Sequence, residues 1–163
     1  MYLSTQKKQN SIVWESGREL KLVVCWSPYP FADFARCRDL YLDMIHAYPH
    51  VILADCRAGH SQKTDRLLRQ ADLILLFLPH AKDLLRGLFQ EAVLYQRACL
   101  PILCGYQRFA EPTPEQIRVL YRLGDCPVGL LPDREEAARL PACDGDAFVR
   151  STGRLIRRRI EAL

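Results

Sequence analysis

Two continuous apolar runs constrain the fold of this chain more than any other feature. The first, Val51–Ala54, ends on the acid Asp55 and is followed by Gly59. The second is Leu73–Leu78. Neither run alternates apolar with polar residues, which is typical of strands in a parallel sheet that carries helices on both faces. We therefore expect two adjacent buried strands, with Asp55 at the carboxyl edge of the sheet, where open α/β sheets bind ligands.

The rest of the chain fits around these strands, because strand-like and helix-like segments alternate five times with short connections. This alternation predicts a three-layer α/β/α sandwich with a mostly parallel five-stranded sheet, Rossmann-like or flavodoxin-like. We expect a single α/β domain over residues 20–163, preceded by an N-terminal arm, residues 1–19, that is either flexible or a short leading strand. The predicted strands are Leu20–Trp26, Val51–Asp55, Asp72–Leu78, Cys99–Gly105 and Val128–Pro132. The predicted helices are Phe31–Tyr48, Asp65–Gln70, Ala81–Arg97, one that opens with a capping box at Thr113–Gln116, and Asp146–Ala162 after an Asp144–Gly145 turn.

Composition excludes several classes of protein. No apolar run approaches the roughly 20 residues of a membrane helix, and the first ten residues lack the hydrophobic core of a signal peptide. The seven cysteines have no C-x-x-C spacing. We therefore expect a cytoplasmic protein with reduced, buried thiols and no metal site. The net charge of +4 is too small to indicate nucleic acid by itself.

Asp55 and Gly59 form the strongest local motif. A carboxylate at a strand end can hold Mg²⁺ through water or orient a nucleophilic water. A glycine just after it lets a backbone N–H approach a phosphate. The alternative is that Asp55 only caps the loop and Gly59 only supplies a turn. His60 and His80 follow the same two strands, and we expect them to be surface histidines near the carboxyl edge.

The sequence lacks a phosphate-binding loop to accompany Asp55. There is no G-x-x-x-x-G-K-[ST] motif, no G-x-G-x-x-G motif, and no lysine directly after a glycine. The loop after the first strand, Ser27–Phe31, contains two prolines where backbone donors would be needed. We therefore expect no bound cofactor, Mg-ATP included, and no complete set of catalytic residues.

Two further functions follow from other residues. A nucleoside- or nucleotide-processing hydrolase or transferase would use Asp55 together with Glu91 on the Ala81–Arg97 helix, although Glu91 also fits a solvated helix face. A nucleic-acid or acidic-surface binder would use the final helix, whose arginines lie opposite its apolar residues and which also suits a solvated face. The arginines of this predicted basic patch are Arg150, Arg154, Arg157 and Arg158.

Three collinear segments resemble the MinD/ParA-type P-loop ATPases, a family that positions division sites and partitions plasmids. Val51–Gly59 is similar to the second acidic motif of that family, D-C-P-A-G, with Arg57 in place of the proline. Gln70–Pro79 resembles the next family strand, where an A-D pair precedes an apolar run. Gly124–Asp133 resembles the late L-G-x-I-P-x-D segment beside the adenine.

The resemblance covers residues 50–163 and implies roles for single residues. Asp55 would match the magnesium-associated acid and Gly59 the glycine that senses the γ-phosphate, while Pro132 and Asp133 would line the base pocket. The phosphate loop and its lysine are missing. The resemblance therefore implies a degenerate, pseudo-ATPase member: a non-catalytic module that pairs with itself or with an intact ATPase relative in a bacterial positioning, secretion or pilus-type assembly.

Overall fold

The computed structural model describes residues 12–13, 19–81, 98–120, 125–133 and 142–163. Strands and helices alternate through these residues as the apolar pattern predicts. In chain order they are β1 (Ile12–Val13), β2 (Glu19–Trp26), α1 (Phe34–His46), β3 (Val51–Asp55), α2 (Gln62–Gln70), β4 (Leu73–Pro79), β5 (Cys99–Tyr106), α3 (Pro114–Leu120), β6 (Gly129–Pro132) and α4 (Ala142–Glu161). The predicted helix Ala81–Arg97 falls almost entirely outside the described residues.

Five parallel strands form the sheet in the order β3-β2-β4-β5-β6. This confirms the predicted α/β fold class, and the order is the flavodoxin-like one. Within the predicted N-terminal arm, β1 pairs antiparallel with the first residues of β2. None of the described helices is both long and apolar enough to cross a membrane.

The prediction that β3 and β4 are adjacent is wrong. Both strands pair with β2, on opposite sides, so that Val23 lies beside Leu53 on one side and Leu73 on the other. An apolar run shows that both faces of a strand are covered. It carries no information about which strand pairs with its backbone. The chain therefore reverses direction across the sheet between β3 and β4, which places the topological switch point at the carboxyl ends of β2 and β4.

Strand β4 shows why its sequence is apolar throughout. Its alternate side chains point to opposite faces of the sheet. Ile74, Leu76 and Leu78 pack in a core with α2 and α3. Leu73, Leu75 and Phe77 pack in a second core with α1 and α4. Helices therefore cover both faces, and the three-layer sandwich follows directly.

Asp72 fixes β4 to β2 at the start of the strand. Its carboxylate Oδ2 accepts a hydrogen bond of 2.7 Å from the Leu22 amide. Its own amide donates to the Leu22 carbonyl at 2.8 Å. Ala71, just before it, is almost completely buried. Asp72 thus provides hydrogen-bond partners for both the amide and the carbonyl of Leu22. These two bonds extend the contact between β2 and β4 beyond their paired residues.

The ends of the helices follow local chemistry more closely than the apolar pattern. The predicted capping box is confirmed, since the Gln116 amide donates to the Thr113 hydroxyl at 3.2 Å and the Thr113 amide to the Gln116 side chain at 2.7 Å. The start of α2 was predicted three residues late, because Ser61 is its N-cap and accepts from the Thr64 amide. The predicted start of α1 at Phe31 is also wrong, because helix geometry begins only at Phe34.

The predicted turn at Asp144–Gly145 is wrong, because α4 runs through both residues. Glycine in a helix interior costs only about 1 kcal/mol relative to alanine. Burial of one face of α4 offsets that cost, since Thr152, Ile156 and Ile160 are all fully or almost fully buried. Tertiary packing therefore overrides the local turn signal.

Candidate functional site

The loop after β2 lies at the switch point, where a phosphate-binding loop would be found. Ser27 is completely buried, and its hydroxyl both donates to the Tyr29 carbonyl at 2.8 Å and accepts from the Tyr29 amide at 3.2 Å. Pro28 and Pro30 have no N–H. A phosphate nest needs successive free backbone donors. In this loop alternate positions cannot donate, and the amide between them is already bonded.

The side chains of the loop fill the adjoining space. Tyr29 packs against the core on the α2 and α3 side. Phe31 packs against the core on the α1 and α4 side, with its ring 5.7 Å from that of Phe34. The two aromatic residues therefore anchor the loop to both layers of the sandwich.

Asp55 ends β3 at the carboxyl edge and is engaged by a cation. Its Oδ1 lies 2.9 Å from Nη1 of Arg38, which α1 presents over the edge of the sheet. Arg38 also binds Asp39 at 3.0 Å and lies 5.6 Å from the centre of the Phe34 ring. The Asp55 side chain is 41% exposed, and partly exposed pairs of this kind contribute at most about 1 kcal/mol. A cation or ligand at Asp55 must therefore compete with Arg38, at a modest energetic cost.

Gly59 joins the ends of β2 and β3. Its φ of +92° lies in the region that favours glycine. Its amide donates to the Ser27 carbonyl at 2.8 Å, and its carbonyl accepts from the Trp26 indole at 2.8 Å. The amide that would approach a phosphate is therefore bonded to the loop after β2. Next to it, the exposed His60 ring lies edge-on to Trp26 at 5.1 Å.

Pro132 and Asp133 follow the last strand of the sheet, β6. Pro132 pairs with Tyr106, and Asp133 accepts a hydrogen bond of 2.9 Å from the Gln107 side chain. They share the carboxyl edge with Asp55, but β3 and β6 are the two outer strands of the parallel sheet. Four strand spacings separate them, about 19 Å. Asp55 therefore lies at one end of the carboxyl edge, and Pro132 and Asp133 lie at the other.

His80 has a structural role that the sequence did not indicate. Its Nδ1 accepts from the Gln107 amide at 3.0 Å, so the proton of the neutral ring is on Nε2, which lies 2.9 Å from the Pro112 carbonyl. The ring is 5.2 Å from that of Tyr106. His80 is half-buried, so it is partly exposed near the carboxyl edge, and its ring also joins two segments of the chain. Its two partners, Gln107 and Pro112, lie about 30 residues further along the chain, so no local sequence motif could predict these contacts.

Phe109 lies on the loop that His80 holds, and its side chain is 96% exposed. Arg108 beside it is also exposed. The sequence signal was present, because Phe109 is a single aromatic residue in an otherwise polar loop, but its spacing matched no predicted element. An exposed aromatic residue on a hydrogen-bonded loop is a feature of protein contact surfaces.

The remaining predicted residues lie on other parts of the chain. Glu91 is outside the described residues. The four arginines of the predicted basic patch are all exposed on α4: Arg150, Arg154, Arg157 and Arg158. On the opposite side of the helix, Val149, Ile156 and Ile160 pack inward as predicted. Within the described part of the chain, no group of three or more His, Cys, Asp or Glu side chains is placed to hold a metal ion.

Six of the seven cysteines have described side chains; all six are free thiols and five of them are buried, as predicted. Burial raises the pKa of Cys25, which lies beside Asp55, to about 12. The next strongest influence on Cys25 is the negative charge of Asp55, which acts in the same direction. The Cys25 thiol is therefore protonated and not a nucleophile at neutral pH.

Comparison with known proteins leaves this chain without an assigned family. A scan against protein-family models found no match, and a search of curated proteins found none either. The function must therefore be argued from the geometry of the carboxyl edge and from the resemblance of the three segments.

Proposed function

We propose that the chain is a non-catalytic, MinD/ParA-like pseudo-ATPase: a protein-interaction module that pairs with itself or with an intact ATPase relative in a bacterial positioning, secretion or pilus-type assembly. Support comes from the three collinear segments, whose strands lie in a parallel sheet with Asp55 at its carboxyl edge. The contact surface is that edge, where ligands bind in related architectures.

One observation carries the non-catalytic part of the proposal: the loop Ser27–Phe31 is closed to phosphate. Its Tyr29 amide is bonded to Ser27, its prolines cannot donate, and its aromatic side chains are packed. Phosphoryl transfer depends almost entirely on such donors and on a lysine for charge stabilisation. Without them, Asp55 could at most retain a cation.

Two further contacts also support a non-catalytic role. The Gly59 amide is used by Ser27, and the Asp55 carboxylate is used by Arg38. Each group that the family would direct at a nucleotide instead holds the carboxyl edge together. The edge is thus a fixed surface, on which Phe109 is the most exposed large apolar residue among those described.

Isothermal titration with Mg-ATP tests the proposal directly. We expect no binding heat and no ATP hydrolysis by the full chain. Arg38→Gln is the matched variant, because it releases Asp55 from its ion pair without altering the loop after β2. It should remain inactive. Tight binding or turnover by the wild-type chain that Asp55→Ala abolishes would show that the proposal is wrong.

Sedimentation velocity tests the contact surface. We expect concentration-dependent self-association that Phe109→Ser weakens, because the side chain leaves water only in the complex. Val119→Ser is the control, since Val119 is 77% exposed but lies on α3. Equal weakening by both variants, or a chain that stays monomeric alone and with a purified MinD/ParA-type ATPase, would contradict an interface at Phe109.

A further inference from the structure

Two cysteines lie close together at the opposite, amino end of the sheet. Cys99 begins β5, and the parallel register pairs Ile102 with Gly129 and Leu103 with Leu130. Cys126 lies three residues before β6 begins. The Cys126 Sγ lies 3.6 Å from the Cys99 carbonyl, so the two residues are in contact.

A cation contacts one of the two sulfurs. Nη2 of Arg159, on α4, lies 2.6 Å from the Cys126 Sγ. Arg157 and Arg158 beside it are exposed, whereas Arg159 is half-buried. A guanidinium in contact with sulfur stabilises the sulfur anion, which is the form that reacts with oxidants. Arg159 therefore places a positive charge against the Cys126 sulfur.

The two thiols differ in their access to solvent. Cys126 is partly exposed, whereas Cys99 is only 7% exposed. Burial raises the pKa of Cys99 to about 12, so this thiol keeps its proton. An oxidant in solution would thus meet Cys126 first, and Cys99 would act second. An accessible thiol next to a second cysteine is the arrangement of redox-sensitive sites.

We propose that Cys126, Cys99 and Arg159 form a peroxide-sensitive dithiol. The Cys126 thiolate attacks one oxygen of a hydroperoxide; the S–O bond forms, the O–O bond breaks, and the leaving oxygen departs as hydroxide or alkoxide. The Cys99 sulfur then attacks the sulfenic acid at Cys126. The S–S bond forms, the S–O bond breaks, and water leaves with the Cys99 proton. Two thiols are oxidised to a disulfide, and one peroxide is reduced with two electrons.

The first experiment uses the full chain and hydrogen peroxide as the probe. After brief oxidation and alkylation under denaturing conditions, trypsin should release a cross-linked pair of peptides, residues 98–108 and 123–134. The first peptide also contains Cys104, so fragmentation between Cys99 and Cys104 assigns the linked sulfur. A product joined at Cys99 supports the proposal. A disulfide only at other cysteines, such as Cys37–Cys104, or no disulfide at all, overturns it.

Variants separate the roles of the three residues. Cys99→Ser should leave a sulfenic acid at Cys126 that a dimedone-type reagent traps, and Cys126→Ser should abolish the cross-link. Arg159→Gln should slow oxidation of Cys126 roughly tenfold, and Arg159→Lys less, because the ammonium keeps the charge. Arg66→Gln, exposed on α2, is the control. Unchanged rates in Arg159→Gln, with circular dichroism showing an intact fold, would overturn the role of Arg159.

This inference is independent of the proposed function, because the dithiol lies at the amino end of the sheet and the Asp55 surface at the carboxyl end. A chain that binds Mg-ATP would leave it intact, and a chain without a disulfide would leave the pseudo-ATPase proposal intact.

Discussion

At the scale of single residues, side chains that resemble an ATPase motif have structural partners of their own. Asp72, the acid of the A-D pair, bonds to the Leu22 amide and anchors β4 to β2. Asp55 bonds to Arg38, and Gly59 to Ser27. The residues of the resembling segments therefore also stabilise the sheet and its loops.

Asp72→Ala should lower the free energy of unfolding by about 1–3 kcal/mol, because the Leu22 amide loses its acceptor in a mostly buried position. Asp72→Asn keeps one carbonyl oxygen and should cost less. Urea denaturation measures both. Asp43→Ala, an exposed acid on α1, is the control and should change stability by no more than about 0.5 kcal/mol. Equal effects at the two positions would contradict the structural role of Asp72.

The position of Asp55 was predictable from sequence, because an acid that ends a buried strand must lie at the carboxyl edge. Its partner was not. Arg38 lies 17 residues earlier on α1, and its contact with Asp55 depends on how the helix packs across the sheet. For the same reason the sequence could suggest that Gly59 approaches a ligand, but not that its amide is bonded to Ser27.

At the scale of elements, the loops carry what the apolar pattern cannot describe. The capping box of α3 was predicted because both of its residues lie within one turn. The His80 contacts with the loop after β5 were not, because they join segments distant in the chain. That loop is where the most exposed aromatic side chain of the described residues is held in place.

His80→Ala should lower the free energy of unfolding by about 1 kcal/mol, because the Gln107 amide and the Pro112 carbonyl lose their partner. Phe109→Ser, on the same loop, should change stability by less than about 0.5 kcal/mol, since its side chain has no buried contact to lose. Thermal and urea denaturation compare the two. A larger loss in Phe109→Ser than in His80→Ala would mean that the aromatic residue serves the fold and not a contact surface.

At the scale of the whole molecule, the layers were predictable and the lateral order of strands was not. Periodicity reports which faces of an element are covered, and β4 is covered on both. Strands pair through backbone groups, which are the same in every residue, so side-chain periodicity does not report which strands are neighbours. The sequence therefore predicted β3 beside β4, although β2 lies between them. The same order places Asp55 on β3 and Pro132 on β6 at opposite margins of the parallel sheet.

The buried thiols predict how the whole fold responds to alkali. Burial raises the pKa of Cys25 from 9.0 to about 12, so above pH 9.0 the unfolded chain releases a proton that the folded chain retains. Stability is fully present below pH 9.0 and declines as pH rises toward 12. The loss is about 1.4 kcal/mol per pH unit for each such thiol.

Urea denaturation across this pH range checks the prediction. Cys25→Ala should be less stable than wild type near neutral pH, because it leaves a cavity. The difference between the two should narrow as pH rises above 9.0. Because tyrosines and lysines titrate equally in both proteins, a constant difference would show that Cys25 does not contribute.

The lateral order of the strands also determines when each part of the chain meets its neighbour during synthesis. Strand β2 emerges well before β4, and the contact between them joins residues 50 positions apart, as the bond from Leu22 to Asp72 shows. Non-local parallel pairing of this kind is slow. When β4 leaves the ribosome, β2 is already available to pair with one edge of β4. The strand that pairs with the other edge, β5, has not yet been synthesised. In that interval the most apolar strand of the protein has a free edge, and a nascent chain is then most exposed to aggregation and to chaperone capture.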